Sequence, residues 1–110
     1  MAQLRHDYDQ FTSLNSEVLV LVPNGPKMIE RYVTANSIPY PILTDKNGLA
    51  AAQYGIAIRK TILPGVRQLF KPSVFLVDKN GVIRYRNYLK SYIQEPDNAE
   101  PLAVLQAMAA

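Results

Sequence analysis

Residues 70–86, F-K-P-S-V-F-L-V-D-K-N-G-V-I-R-Y-R, carry the signal of a β-hairpin. An apolar run, Ser73 to Val77, meets Asp78-Lys79-Asn80-Gly81, whose residues favour a tight turn, and an alternating run follows it. On that second strand Val82, Arg84 and Arg86 fall on one face and Ile83 and Tyr85 on the other, the pattern of a half-buried edge strand. The same tetrapeptide, D-K-N-G, stands at Asp45 to Gly48, but there L-A-A-A-Q-Y-G comes next. Alanine-rich sequence favours a helix. The first copy is expected to lead into a helix and the second into a hairpin.

Upstream, Leu4, Tyr8, Phe11 and Leu14 recur at steps of four, three and three, one face of a helix. No capping residue precedes this helix, so its first backbone donors are expected to face water. E-V-L-V-L-V-P, Glu17 to Pro23, is apolar at every position between its ends and reads as a strand buried on two sides in a parallel sheet. Asn24-Gly25-Pro26 opens a second helix with proline near its first position, where the missing N–H does no harm. Met28, Ile29, Tyr32 and Val33 are its expected apolar stripe, and a short strand, Tyr40 to Thr44, follows. Between Gly55 and Pro72 lies a long connection containing Pro64-Gly65, read as a loop of functional length. After Pro101, Leu102, Leu105 and Met108 mark a last helix. Helices that alternate with strands and then give way to an antiparallel hairpin indicate a mixed sheet covered by helices. No linker or repeat divides the chain, so residues 1–110 are read as one domain.

The composition is that of an ordinary globular protein, 48% hydrophobic and 19% charged. The longest strongly apolar run, Val18 to Val22, is far short of the roughly 20 residues of a membrane-spanning helix. The N-terminus, M-A-Q-L-R-H-D-Y-D-Q, lacks the apolar segment of a secretion signal, and the default address is cytoplasmic. There is no cysteine, which excludes disulfides, zinc thiolates and thiol chemistry in these 110 residues.

The net charge of +3 is concentrated in the second half, where eight Lys and Arg lie between Arg59 and Lys90 with Asp78 the one acid among them. Such a segment attracts anions, yet a solvated face is the favoured reading. Tyr85, Tyr88 and Tyr92 interleave with Arg84, Arg86 and Lys90 in the manner of a nucleic-acid surface. The edge-strand alternation accounts for the same residues, and nucleic acid is not an expected partner. His6, the one histidine, reads as a surface residue, because no metal or catalytic partner is placed beside it. Both D-K-N-G copies read as turns, since they lack the alternating oxygen ligands of a calcium loop and Lys occupies the second position of each. No metal or cofactor is expected.

The order of these segments, with I-P-Y-P-I-L-T-D-K-N-G-L-A-A-A-Q-Y-G (Ile38 to Gly55) and the hairpin as its most specific pieces, resembles the peroxiredoxin-like alkyl hydroperoxide reductase and thiol-specific antioxidant (AhpC/TSA) family. The resemblance covers nearly the whole chain. It implies an α/β fold, a thioredoxin-like mixed sheet flanked by helices, and an oxidoreductase chemistry in which a helix N-terminus and nearby cations favour a cysteine thiolate that attacks peroxide. In the family a strand and that cysteine precede the helix that M-A-Q-L-R-H-D-Y-D-Q-F resembles, so the expected fold lacks its first core strand and the chain is expected to be N-terminally truncated. No catalytic residue can then be assigned.

The resemblance further makes Lys71, Pro72 and Ser73 the support of the thiol site, with Pro72 matching a proline that is cis in thioredoxin-like proteins. Arg59 and Arg67, with Lys71, are either cations near that site or solvated loop residues. A peroxide or disulfide substrate is implied only for a parent with an upstream cysteine. A cysteine-free binding module of the same fold is the alternative reading. A missing central strand would leave the strands at Glu17 to Val22 and Ser73 to Val77 with unpaired edges, which points to either direct closure or a homodimer.

Overall fold

The computed structural model describes residues 2–61, 68–92 and 95–109. In chain order the elements are α1 (Ala2–Ser13), β1 (Val20–Val22), α2 (Pro26–Asn36), β2 (Ile42–Thr44), a 3-10 turn (Lys46–Gly48), α3 (Leu49–Gln53), β3 (Ile58–Lys60), β4 (Gln68–Phe70), β5 (Ser73–Val77), β6 (Ile83–Tyr88) and α4 (Ala99–Ala109). They group into two compact units, Val18–Lys71 and Met1–Glu17 with Pro72–Ala110. Among the described residues the strands pair two by two, β1 with β2, β3 with β4 and β5 with β6.

In the unit Val18–Lys71, β1 and β2 run parallel with Val20 opposite Ile42, Leu21 opposite Leu43 and Val22 opposite Thr44. Parallel neighbours need a crossover, and α2 supplies it. Pro26 stands at the start of α2, as its missing N–H permits, and Ser37 ends the helix in the left-handed region at φ 51°. Ile29 and Val33 are half-buried, but Met28 and Tyr32 of the expected stripe are exposed. The strand expected to be buried on two sides is covered on one. Val18, Val20 and Val22 are half-buried, whereas Leu19 (56% exposed), Leu21 (42%) and Leu43 (49%) stand out on the other face. An all-apolar strand has no alternation from which to tell its covered face.

The connection expected as a loop contains a ladder. β3 and β4 are antiparallel, with Ile58 opposite Phe70, Arg59 opposite Leu69 and Lys60 opposite Gln68, and the Lys71 N–H extends the pairing to the Ala57 carbonyl at 2.9 Å. The Pro64-Gly65 turn signal lies outside the described residues.

Both D-K-N-G copies close the same backbone bond but differ at the asparagine, Asn47 lying at a positive φ of 59° and Asn80 not, and they hand the chain to different elements. The Gly48 N–H donates to the Asp45 carbonyl at 3.1 Å and the Gly81 N–H to the Asp78 carbonyl at 3.0 Å, with both glycines at positive φ. In the first copy the buried Asp45 carboxylate reaches forward to the N–H groups of Ala50 (2.9 Å) and Ala51 (2.8 Å), satisfying first-turn donors of α3. In the second, Asp78 Oδ1 accepts from the N–H groups of Asn80 and Val82, each at 2.9 Å, and β6 begins. Helix and hairpin both emerge, as the flanking residues require.

In the other unit β5 and β6 form the antiparallel hairpin, Ser73 opposite Tyr88 through Leu76 opposite Tyr85, with an irregularity that sets Val77 opposite Ile83. The extra residue on β6 is Arg84, a bulge beside the turn. Phe11 of α1 and Leu102 of α4 are buried, and Leu4, Tyr8 and Leu14 of the α1 stripe are half-buried. The α4 stripe holds at Leu102 and Leu105 and ends before Met108, which is 42% exposed, while Pro101 is fully buried in the first turn. The first donors of α1 are not all left to water: the Gln3 N–H donates to Glu95 Oε1 at 2.9 Å.

Gly48 combines a φ of +68° with a Cβ position 2.7 Å from Ile58 Cδ1, whereas a Cβ on Gly25 would meet nothing within 4 Å and its φ is −70°. Gly48→Ala is expected to lose about 1–2 kcal/mol in urea unfolding, and Gly25→Ala less than about 0.5 kcal/mol. Equal losses would place the constraint elsewhere.

Candidate functional site

The residues that the sequence nominates as thiol-site support fall at the end of one unit and the start of the other. In Val18–Lys71, Arg59 is an exposed residue of β3 and Lys71 is half-buried just after β4. Arg67 lies outside the described residues. In the other unit the Pro72 carbonyl accepts the Leu89 N–H at 2.9 Å, and Ser73 opens β5 opposite Tyr88.

No cis peptide bond occurs among the described residues, so Lys71–Pro72 is trans, contrary to the expected cis form. The trans isomer is intrinsically favoured by about 0.5–1 kcal/mol. Here the flanking polar groups are satisfied in it, since the Lys71 N–H bonds to Ala57 and the Pro72 carbonyl to Leu89. Nothing in that backbone calls for cis.

The most developed polar cluster was not anticipated. Asp7, 8% exposed, accepts from Gln3 Nε2 at 2.9 Å, Gln10 Nε2 at 3.3 Å and Asn98 Nδ2 at 3.0 Å. The Asn98 bond ties α1 to the residue that precedes α4. The amide of Gln3, and next that of Asn98, hold the Asp7 carboxyl below the usual range, against burial, which pushes it up. The sequence contained the signal, because Asp7 lies three after Leu4 and four before Phe11, on the apolar stripe itself. His6 next to it is exposed, as a surface histidine. Glu95 is likewise held low, chiefly by the Gln3 N–H.

On the hairpin, Asp78 is held low by the Val82 N–H and then by Arg84, whose Nε lies 2.8 Å from Oδ2. Arg86 stacks over Tyr88 at 5.5 Å, and Phe75 meets the same ring edge-on at 5.6 Å. Arg86 and Tyr88 are thus engaged with each other along β6, and Phe75 meets Tyr88 across the strand pair. Tyr85 is pushed up by burial first and by Glu100 next. Among the described residues no group of three His, Cys, Asp or Glu could hold a metal ion, and no helix is long and apolar enough to cross a membrane. A chain without cysteine offers no sulfur nucleophile to any of these arrangements.

The fold has a known counterpart. The crystal structure of Peroxidoxin BcpB from Mycobacterium tuberculosis matches with a TM-score of 0.76 at 19% identity, over 96% of this chain and 66% of that one. That likeness defines the class, a thioredoxin-like α/β fold of the peroxiredoxin kind, and this chain spans about two thirds of the length of that protein. The model of the AhpC/TSA family matches residues 1–86, and the chain belongs to that family. No curated protein matches it.

The folded-state depression of the Asp7 carboxyl means that its contribution is complete above the unfolded value, about 3.9, and is lost as the pH falls through the folded one. Asp7→Asn turns an amide toward amide donors and is expected to lose about 1–3 kcal/mol in urea unfolding at pH 7. The gap from the parent should narrow below about pH 4. A variant as stable as the parent at pH 7 would remove the cluster from the account of stability.

Proposed function

We propose that this chain carries the scaffold of a thiol-dependent antioxidant or disulfide oxidoreductase of the peroxiredoxin-like kind, as a fragment or mis-started chain, and has no thiol chemistry of its own. The single observation behind this is a family match over residues 1–86 in a sequence of 110 residues with no cysteine. Peroxide reduction by this route needs a thiolate that becomes a sulfenic acid, and disulfide exchange needs a thiolate to attack. No other side chain here replaces that low-pKa sulfur. In this reading Lys71, Pro72 and Ser73 support the place of the thiol, Arg59 and Arg67 provide cations at its rim, and the address is cytoplasmic. Peroxide or a disulfide is the substrate only of a longer form whose upstream sequence carries a cysteine.

The purified chain, mixed with hydrogen peroxide and dithiothreitol, is expected to consume peroxide at the rate of the protein-free control. Consumption above that control, proportional to protein, would overturn the assignment of inactivity. The fragment reading is tested separately by the nucleotide sequence upstream of the Met1 codon. An in-frame extension encoding a strand and a cysteine supports it, and stop codons close upstream overturn it.

A further inference from the structure

We propose that the outer edge of β1 is a self-association site, at which two copies of this chain pair β1 with β1 in antiparallel fashion about a two-fold axis at Val20. The backbone shows which edge is meant. The Val20 N–H donates to Pro41 at 3.1 Å and the Val22 carbonyl accepts from Asp45 at 2.8 Å, so the polar groups of Val20 and Val22 face β2. In an extended strand those of Leu19 and Leu21 then point the other way. Among the described residues Leu21 has no partner on that side, and β2 is the one strand neighbour of β1.

The sequence of the edge is complementary to itself. With the axis at Val20, Leu19 faces Leu21 of the second copy and Leu21 faces its Leu19, and these are the residues whose N–H and C=O groups point outward. Two hydrogen-bonded pairs form, and Val20 meets its counterpart in a non-hydrogen-bonded pair. Val18 to Val22 contains no charge. The first charged residue before it, Glu17, falls opposite Pro23, not opposite another acid, and Pro23 ends the ladder because it has no N–H. Leu19 and Leu21, 56% and 42% exposed, become cross-strand pairs on one face, flanked by Leu43 at 49%. Two leucine pairs and one short ladder are a small contact surface, so the expected dimer is weak, with a dissociation constant on the order of tens of micromolar.

The absence of cysteine makes the register directly testable in the full chain. Antiparallel non-hydrogen-bonded pairs place Cα atoms about 4.5 Å apart, within disulfide range, so Val20→Cys should give a covalent dimer under mild oxidation. Val22→Cys, opposite Val18 and not itself, should cross-link at least tenfold more slowly. Sedimentation of the unmodified chain should pass from monomer toward dimer between about 1 and 300 µM. Leu19→Lys/Leu21→Lys places like charges in both pairs and should remain monomeric, as should Leu19→Glu/Leu21→Glu, while the two mixed should associate. A monomer throughout, equal cross-linking at both positions, or no association of the mixed variants would overturn the proposal. So would a dimer that Leu43→Lys breaks while Val20→Cys fails to lock it, since that dimer packs through the leucine face. A monomer that takes up an added extended apolar peptide at β1 would overturn it as well, by making the partner a different chain.

Discussion

At the starts of α1, α3 and α4 and in the hairpin turn, a carboxylate receives N–H groups that would otherwise lack a partner. A helix or turn leaves backbone donors unsatisfied at its start, and burying them without acceptors costs more than any single contact returns. Asp45 takes two donors at the start of α3, Asp78 two in the hairpin turn, and Glu95 one from α1. Asp97 takes the Ala99 N–H where α4 begins. Asp7 plays the same part for side-chain amides and fastens α1 to the residue before α4. Five of the nine acids of this basic protein, Asp7, Asp45, Asp78, Glu95 and Asp97, thus accept N–H groups of the chain itself. Asp78 also pairs with Arg84.

With short, paired strands, each unit has a small core. Among the described residues the buried apolar side chains of Val18–Lys71 include Ile38, Tyr40 and Ala51, and those of the other unit include Phe11, Leu89 and Leu102. Much of the remaining apolar surface is half-covered or exposed. Leucines 19, 21 and 43 are outward on a sheet whose opposite face lies against α2. The AhpC/TSA family to which the chain belongs accounts for the fold.

The sequence made the helices legible because their signals are local: the stripe from Leu4 to Leu14, Pro26 at a first turn, alanines after the first D-K-N-G. The hairpin was legible for the same reason. β3 and β4 were not, because I-R-K and Q-L-F are too short to show alternation and their pairing is fixed by partners about ten residues apart. The covered side of β1 was hidden by a run in which every residue is apolar. Of the candidate site, the support residues were found through family likeness alone, and the isomer of Pro72 followed its own backbone partners instead. Asp7 was overlooked because charged neighbours masked its place on the apolar stripe.

The two D-K-N-G turns, identical in sequence, differ in what surrounds their glycines. Gly48 is buried with Ile58, Gln68 and Phe70 around it, while Gly81 has open space and exposed Lys79 and Asn80 before it. A longer loop at an open hairpin tip adds only about 0.6 kcal/mol of closure entropy for each doubling of its length. The second turn is therefore the natural insertion point of this chain, able to accept a peptide epitope or a spectroscopic label, and the first, with the same four residues, is closed to both.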